Sequence, residues 1–445
     1  MRIFGFTQQE AFPFLGIVLV MAFLFLIRRS GGRLWIWSPL SVLCVIYFYY
    51  LVLGPAQAVI SGDTTERLVN MRPFYSSALL GGFISLVFIC LGYVSNRKRG
   101  KKMQQVPNQD KWLSYYGKWI TMLGFILFTI STKGNITQLI NPLDAQSVPE
   151  RAGGSFANYL NLSVNFLITG ITLLFIHFVR TKKGLLWFAI PFVLALGIYT
   201  SIGFRYRLIL LLGSVVASYY LTKRIRLSAL VATAGVFLLI TLMGIINLTR
   251  TYNRGLNLES IEQEDSRSFF ESGLRESLIF QCTGAAIELV PETYEHVGFQ
   301  PIISTLLFPI PRAIYPEKES ARYLFDFLDH VFGPYGQGAA MMSFGEYYLA
   351  FGWPGLIIGS FLIGWFSRRL WNWFLANQRN PFVIAAYACT VMYLYVVISR
   401  GYLPQVTMLF FFSVFPVYAV VYLVKKKIPR RKRVRRIIPQ VEPAH

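Results

Sequence analysis

Eleven stretches that reach or approach membrane-spanning length divide this 445-residue chain, and one connection between them is far longer than the rest. A crossing helix needs about 20 apolar residues, and lipid tolerates almost nothing but helices and closed barrels, so the pattern leaves little choice of fold. The stretches occupy residues 11–27, 34–53, 75–94, 112–132, 159–178, 185–204, 208–221, 227–247, 347–366, 381–399 and 405–424. A composition of 54% hydrophobic and only 14% charged residues, with a mean hydropathy of +0.48, agrees. The fold expected is all-α: a polytopic transmembrane helical bundle of about eleven spans with one large, partly helical external loop. Residues 1–248 carry spans one to eight, 249–344 the external loop, 345–424 spans nine to eleven, and 425–445 a basic cytoplasmic tail.

The formal charge of +22 suggests nucleic acid until its placement is considered. Most of the cations fall on every second connection, such as Arg28 to Arg33, Arg97 to Lys102, Arg180 to Lys183 and Arg368 to Arg379. The alternate connections hold Asp63, Glu66, Asp144, Glu150 and the long insertion, which contains most of the acidic side chains. This alternation is the positive-inside signature; it puts the N-terminus and the insertion outside and the C-terminus in the cytoplasm. No nucleic-acid partner is implied. The tail run from Lys425 to Arg436 is expected to lie on anionic membrane lipids. Cys44, Cys90, Cys282 and Cys389 show no paired spacing, so neither a disulfide framework nor a metal site is implied. The first apolar stretch lacks a small-residue cleavage pattern and is expected to stay as a span.

The seventh span is short: residues 208–221 would cover only about 21 Å at the helical rise, against a hydrocarbon core of about 30 Å. Arg205 and Arg207 then sit at or below the outer boundary. Arginine at that depth normally faces a protein interior with an anionic partner, although snorkelling to headgroups would also serve a single residue near a helix end.

Within the insertion, Tyr323, Leu324, Phe327, Leu328, Val331 and Phe332 recur at helical spacing and predict an amphipathic helix over 319–332. Arg322 and Asp326 can pair on its polar side. A second helix is predicted over 269–280, both lying on the outer membrane surface and roofing a cavity between the spans. Pro309, Pro311 and Pro316 forbid regular helix and hold Arg312 and Lys318 on a stiff segment suited to clamping an anion. Gly333, Gly336 and Gly338 allow tight turning, but without strand-to-helix context they are a weak phosphate cradle. Glu346 opens the ninth span; it is either a carboxylate favoured by the helix dipole or a polar group aimed into the cavity. Tyr347 and Tyr348 follow it and could stack on or hydrogen-bond a sugar. His330 and His296 are further proton acceptors, though lone histidines on such helices are more often plain surface.

Three of these features resemble the oligosaccharide repeat-unit polymerases, the O-antigen polymerase or Wzy-type family. They are Pro311-Arg312-Ala-Ile-Tyr-Pro316-Glu-Lys318, the run Gly345-Glu346-Tyr-Tyr-x-x-Phe351-Gly352-x-x-Gly355, and the arginine-bearing turn at Arg205 to Arg207 before the large loop. The resemblance implies a GT-C-like membrane glycosyltransferase, multi-pass in the bacterial cytoplasmic (inner) membrane. It would polymerise undecaprenyl-diphosphate-linked oligosaccharide repeat units outside that membrane, transferring the growing glycan onto a new unit. A chain-length regulator and a flippase are the partners implied, and no cofactor. Arg205, Arg207, Arg312, Lys318 and Arg322 would bind the diphosphate, because arginine grips phosphate oxygens bidentately without losing charge. Glu346, or else His330, would take the proton of the attacking hydroxyl. A lipid-linked glycan ligase would share the arginines and differ in its acceptor, whereas a non-enzymatic flippase would not need the large insertion.

Overall fold

The computed structural model describes residues 7–29, 34–62, 64–66, 69–96, 98, 100–103, 108–134, 157–203, 205–249, 273, 277–310, 314–315, 322–333 and 339–426. Arg312, Lys318, Gly336, Gly338 and the tail beyond Lys426 lie outside them, as does most of 249–276. The helices are α1 (Gln8–Arg29), α2 (Pro39–Phe48), α3 (Gly54–Ser61), α4 (Tyr75–Ser95), α5 (Gln109–Ser131), α6 (Ala157–Leu162), α7 (Phe166–Thr181), α8 (Leu185–Ile202), α9 (Arg205–Lys223) and α10 (Ala229–Thr249). After them come α11 (Ser277–Leu289), α12 (Gln300–Leu307), α13 (Tyr323–Phe332), α14 (Ser343–Ala376), α15 (Pro381–Ser399), α16 (Leu403–Ser413) and α17 (Phe415–Lys426). A π turn, Tyr49–Leu53, joins α2 to α3, and a two-residue hairpin pairs Thr65 with Asn70 and Glu66 with Val69.

Helix covers each of the eleven predicted spans. Seven helical stretches are long and apolar enough to cross a membrane, or eight if the bent pair α16 and α17 is one span. The remaining three predicted spans, on α1, α9 and α10, are helical but do not meet that standard. For α1 and α10 the described apolar stretches are only Gln9–Leu24 and Leu230–Leu242, and α9 carries Arg205, Arg207 and Lys223. The last predicted span is not one rod: it bends by 44° between α16 and α17. Thr169 Oγ1 donates to the Ser413 carbonyl at that bend, at 2.7 Å.

Local sequence explains where helices begin. Pro39 and Pro381 occupy first-turn positions whose N–H would be unbonded anyway, and Ser38 and Asn380 cap them. Ser38 Oγ accepts from Ser41 N at 3.3 Å, and Asn380 Oδ1 from Phe382 N at 3.0 Å. Small residues then decide which helices approach closely. A Cβ on Gly92 would fall 2.0 Å from the Phe361 carbonyl oxygen, and one on Gly364 would fall 2.0 Å from that of Ile89. Only backbone-to-backbone contact between α4 and α14 produces such numbers, the small-residue crossing used where lipid supplies no hydrophobic drive. The Ser85 and Ser360 hydroxyls meet at 2.7 Å across it, and Tyr47 of α2 joins Ser85 at 2.7 Å. Gly81 lies beside Leu356, Ser85 beside Ser360 and Ile89 beside Gly364, so α4 and the long part of α14 run parallel.

Two expectations for the insertion are corrected. The helix predicted over 269–280 is described only as α11, Ser277–Leu289, and it does not lie on the surface. Phe280, Gln281, Cys282, Thr283, Ala285 and Ala286 are fully buried, and a Cβ on Gly284 would meet the Phe74 carbonyl oxygen at 2.1 Å. Its run of small residues nests against α4, where Gln281 Nε2 donates to Tyr75 Oη at 3.0 Å. Nor does the insertion stay wholly outside the bundle. The Phe344 ring reaches to 3.3 Å from a Cβ built on Gly81, the seventh residue of α4, so the start of α14 and the segment leading into it dip between the helices. Its extended backbone is satisfied there: Met342 N donates to Thr283 Oγ1 at 2.8 Å, and the Met341 carbonyl accepts from Gly401 N at 2.7 Å. Non-helical backbone at such depth persists only with protein partners of this kind.

Candidate functional site

The first turn of α14, which follows that segment, carries Glu346, and a break later in α14 fixes how it is presented. Phe351 and Gly352 leave helical geometry, Gly352 with φ +64° and ψ −151°, a conformation essentially restricted to glycine. Pro354 then restarts the helix as residues 353–376. The break exposes carbonyls that a continuous helix would bond internally, and the loop after α11 caps them. Val297 N donates to the Leu349 carbonyl at 3.0 Å and Gly298 N to that of Ala350 at 3.1 Å; His296 Nδ1 lies 3.3 Å from the Leu349 oxygen. The chain folds back so far that a Cβ on Gly355 would meet the Tyr347 carbonyl oxygen at 2.3 Å, and one on Gly359 the Tyr347 ring.

Glu346 is 2% exposed. Its Oε1 accepts from the Tyr323 hydroxyl of α13 and from Leu403 N at the start of α16, the latter at 2.7 Å. Among the described residues both bonds fall on one oxygen, which leaves the lone pairs of Oε2 for a further donor. The Tyr323 and Tyr402 rings lie tilted to each other with centroids 5.7 Å apart, and Phe325 meets Tyr402 edge-on at 5.5 Å. Burial, then the nearby Glu346 charge, raises the Tyr323 phenol well above its usual range; the same causes push Tyr402 up to about 12. Both therefore stay protonated donors at neutral pH.

Cations collect at the same end of the bundle. Arg205 and Arg207, in the first turn of α9, are 4% and 1% exposed. Cations there oppose the positive end of the helix dipole, and no acidic residue occupies that turn, so an anion at this place would be doubly favoured. Tyr206 lies between them, with Arg207 Cζ 5.6 Å from its ring centroid. Arg400, at the end of α15, reaches the same ring, its Cζ 5.9 Å from the centroid. From Arg400 to Leu403, whose N–H holds Glu346, is three residues, a reach of at most about 11 Å. The arginines and the carboxylate thus belong to one neighbourhood.

The other predicted site residues fall elsewhere. Arg322 is more than half exposed and pairs with Asp326 at 3.3 Å and Asp329 at 3.6 Å, so two carboxylates already balance its charge. His330 is exposed on α13, its ring 5.4 Å from Tyr294 and two turns from Tyr323. Tyr348 donates to the Val290 carbonyl at 3.3 Å and packs on Trp353 and His296, partners that Glu346 does not share. Tyr347 is half-buried against Gly359. Arg312 and Lys318 lie outside the described residues. Sequence reasoning missed Arg400, Tyr206, Tyr323 and Tyr402. The signal for Arg400 was present: it is a cation in the connection after the tenth predicted span, against the alternation that the other connections follow.

No curated relative and no solved structure matches the chain. The family model described as O-antigen polysaccharide polymerase Wzy matches residues 1–432, nearly its whole length. A multi-pass helical bundle with buried arginines and a buried carboxylate fits that match, and the chain belongs to the O-antigen polysaccharide polymerase Wzy family.

Proposed function

We propose that this protein polymerises undecaprenyl-diphosphate-linked oligosaccharide repeat units, moving the growing glycan onto the sugar hydroxyl of a new lipid-linked unit. In this reading the chain crosses the bacterial cytoplasmic membrane eleven times, with the ends of α9 and α15 that carry Arg205, Arg207 and Arg400 facing outward. One observation supports it above others: a buried carboxylate, bonded through one oxygen, is linked by the short turn from Arg400 to Leu403 to the end of α9 that carries two buried arginines. The acceptor hydroxyl gives its proton to Glu346 Oε2 while its oxygen bonds the anomeric carbon. The bond from that carbon to the diphosphate oxygen breaks, and the diphosphate leaves with the electron pair. Arg205 and Arg207 meet the charge that develops on it, and Arg312 and Lys318 on the proline-stiffened segment add to them. Direct attack of this kind inverts the anomeric centre and requires no covalent enzyme intermediate.

The test is the glycan pattern of cells lacking the protein. Single-repeat glycans in place of a ladder are expected, since a polymerase is needed only from the second unit onward. A ladder of normal length would overturn the reading, and loss of the single repeat as well would point to transport of the unit.

A further inference from the structure

One short helix of the insertion turns its apolar side away from the protein. Phe299, which caps α12, and Ile302, Ile303 and Leu306 within it are 66%, 45%, 50% and 72% exposed. At about 100° per residue these four positions fall within about 100° of arc, one face of the helix. The opposite side is the covered one: Pro301 is buried, Ser304, Thr305 and Phe308 are half-buried, and α12 packs against α16. No charged residue occurs from Val297 to Pro311, whereas a helix that turns one side to water normally carries charge there. The backbone at both ends is bonded as well. Gln300 N donates to the Val297 carbonyl at 3.2 Å, Ile302 N and Ile303 N both donate to that of Phe299 at 3.0 Å, and position 301 is proline. At the other end the Ser304 and Leu307 carbonyls accept from Phe308 N at 2.8 Å and Ile310 N at 3.0 Å, and the Tyr159 hydroxyl donates to the Phe308 carbonyl at 3.0 Å. A helix end in water can leave such groups to the solvent; one in hydrocarbon cannot.

We propose that the exposed face of α12 is seated in the hydrocarbon of the bilayer leaflet on the Glu346 side, with lipid acyl chains as its partner. Its placement supports this occupant. Together α16 and α17 are long and apolar enough to form one bent span, and α16 begins at Leu403, whose N–H holds Glu346. A helix packed on α16 at the periphery of the bundle therefore lies at membrane depth. Tyr159, which bonds the end of α12, opens another span. At the start of α12 the Phe299 ring meets that of Phe351 at 5.0 Å, and Phe351 is itself 39% exposed at the break in α14, so the apolar face continues onto a spanning helix. Four half-exposed side chains offer a few hundred Å², short of the roughly 800 Å² per partner that a stable protein interface buries. The loop that precedes α12 caps the broken α14 through Val297 N and Gly298 N, so a leaflet that holds α12 also steadies the break that presents Glu346.

The test is photo-crosslinking of the full-length protein in isolated cell membranes. Leu306→p-benzoylphenylalanine and Ile303→p-benzoylphenylalanine are irradiated, purified and weighed as intact proteins; the benzophenone inserts into C–H bonds within its reach. Both should gain the mass of one phospholipid, as should the same replacement at Leu186, a control 70% exposed on the spanning helix α8. Replacement at Glu292, exposed in the loop after α11, should gain none. Absence of a lipid adduct at 303 and 306 in membranes where Leu186 acquires one overturns the proposal and turns the face to water. A covalent dimer overturns it in favour of a second copy, and an adduct with another protein in favour of a protein partner. Equal lipid labelling at Glu292 overturns it too, because the adducts would then report mere nearness to the membrane. Unfolding midpoints check the fold of each variant, and if one of the two α12 variants does not accumulate the other is judged by the same outcomes.

Discussion

Replacing Gly352 by alanine strikes at the way the candidate carboxylate is presented. The backbone there, φ +64° and ψ −151°, admits an L side chain only at a cost of about 1–3 kcal/mol. The new Cβ would also stand 3.3 Å from His296 Cε1, tighter than most real contacts, although an imidazole can shift by a few tenths of an ångström. The chain can keep the break and carry the strain, or relax towards continuous helix. Relaxation would take the Leu349 and Ala350 carbonyls from Val297 and Gly298 and swing residues 343–350 away, removing Glu346 from Tyr323 and Leu403. The strain is smaller than the roughly 5–15 kcal/mol that holds a typical fold, so the variant should accumulate. Its unfolding midpoint in detergent should drop by a few degrees. Chain extension should suffer far more, because a misplacement of about 1 Å at a reacting group can cost a hundredfold. Gly197→Ala in α8, where nothing lies within 4 Å of the added Cβ, is the control and should behave as the parent. A Gly352→Ala protein with parental midpoint and parental chain extension would refute the reasoning.

Gly364→Leu should remove folded protein from membranes, because backbone atoms of Ile89 stand where its Cβ must go; normal abundance would contradict the close crossing of α4 and α14. Tyr323→Phe keeps the ring on Tyr402 and deletes the donor to Glu346. With hydrogen bonds to charged groups contributing about 1.5–3 kcal/mol, chain extension should slow tenfold or more at unchanged abundance. An unchanged rate would mean that α13 does not position the carboxylate. Cysteines substituted near Glu264 should react with an impermeant reagent applied from outside and those near Arg430 should not; the reverse would invert the topology.

The features legible in the sequence were those whose partners are near in sequence. The stripe of Tyr323, Leu324, Phe327, Leu328 and Phe332 gave α13 because helical period is local, and all five are buried. The Arg322 and Asp326 pair followed from a spacing of four. Glu346 was visible because a carboxylate at the start of an apolar stretch is conspicuous. That Gly352-Trp-Pro-Gly355 breaks the helix was contained in those residue types, but the fold-back depends on a loop some fifty residues earlier that caps the freed carbonyls. The meeting of Arg400 with Arg207 depends on α9 and α15 lying together, a pairing that no local pattern specifies. Tyr347 and Tyr348 misled for a geometric reason: helix neighbours point about 100° apart, so they do not share the side on which Glu346 faces α13. For α11, apolar and small residues without a clean period fit a buried helix as readily as a surface one.

The most direct test of the proposed chemistry is chain extension by purified Glu346→Gln protein supplied with lipid-linked repeat units. Glutamine can still accept from Tyr323 and Leu403 through its amide oxygen, so the fold should survive and unfolding should be close to the parent. A carboxylate that only favours a helix start contributes about 0.3–1 kcal/mol through the dipole, and its amide should work nearly as well. A carboxylate that takes the proton of the attacking hydroxyl contributes about a hundred- to ten-thousand-fold in rate. Loss of at least a hundredfold in a folded Glu346→Gln protein is the expected result; a rate within threefold of the parent would contradict the assignment and return Glu346 to a structural role.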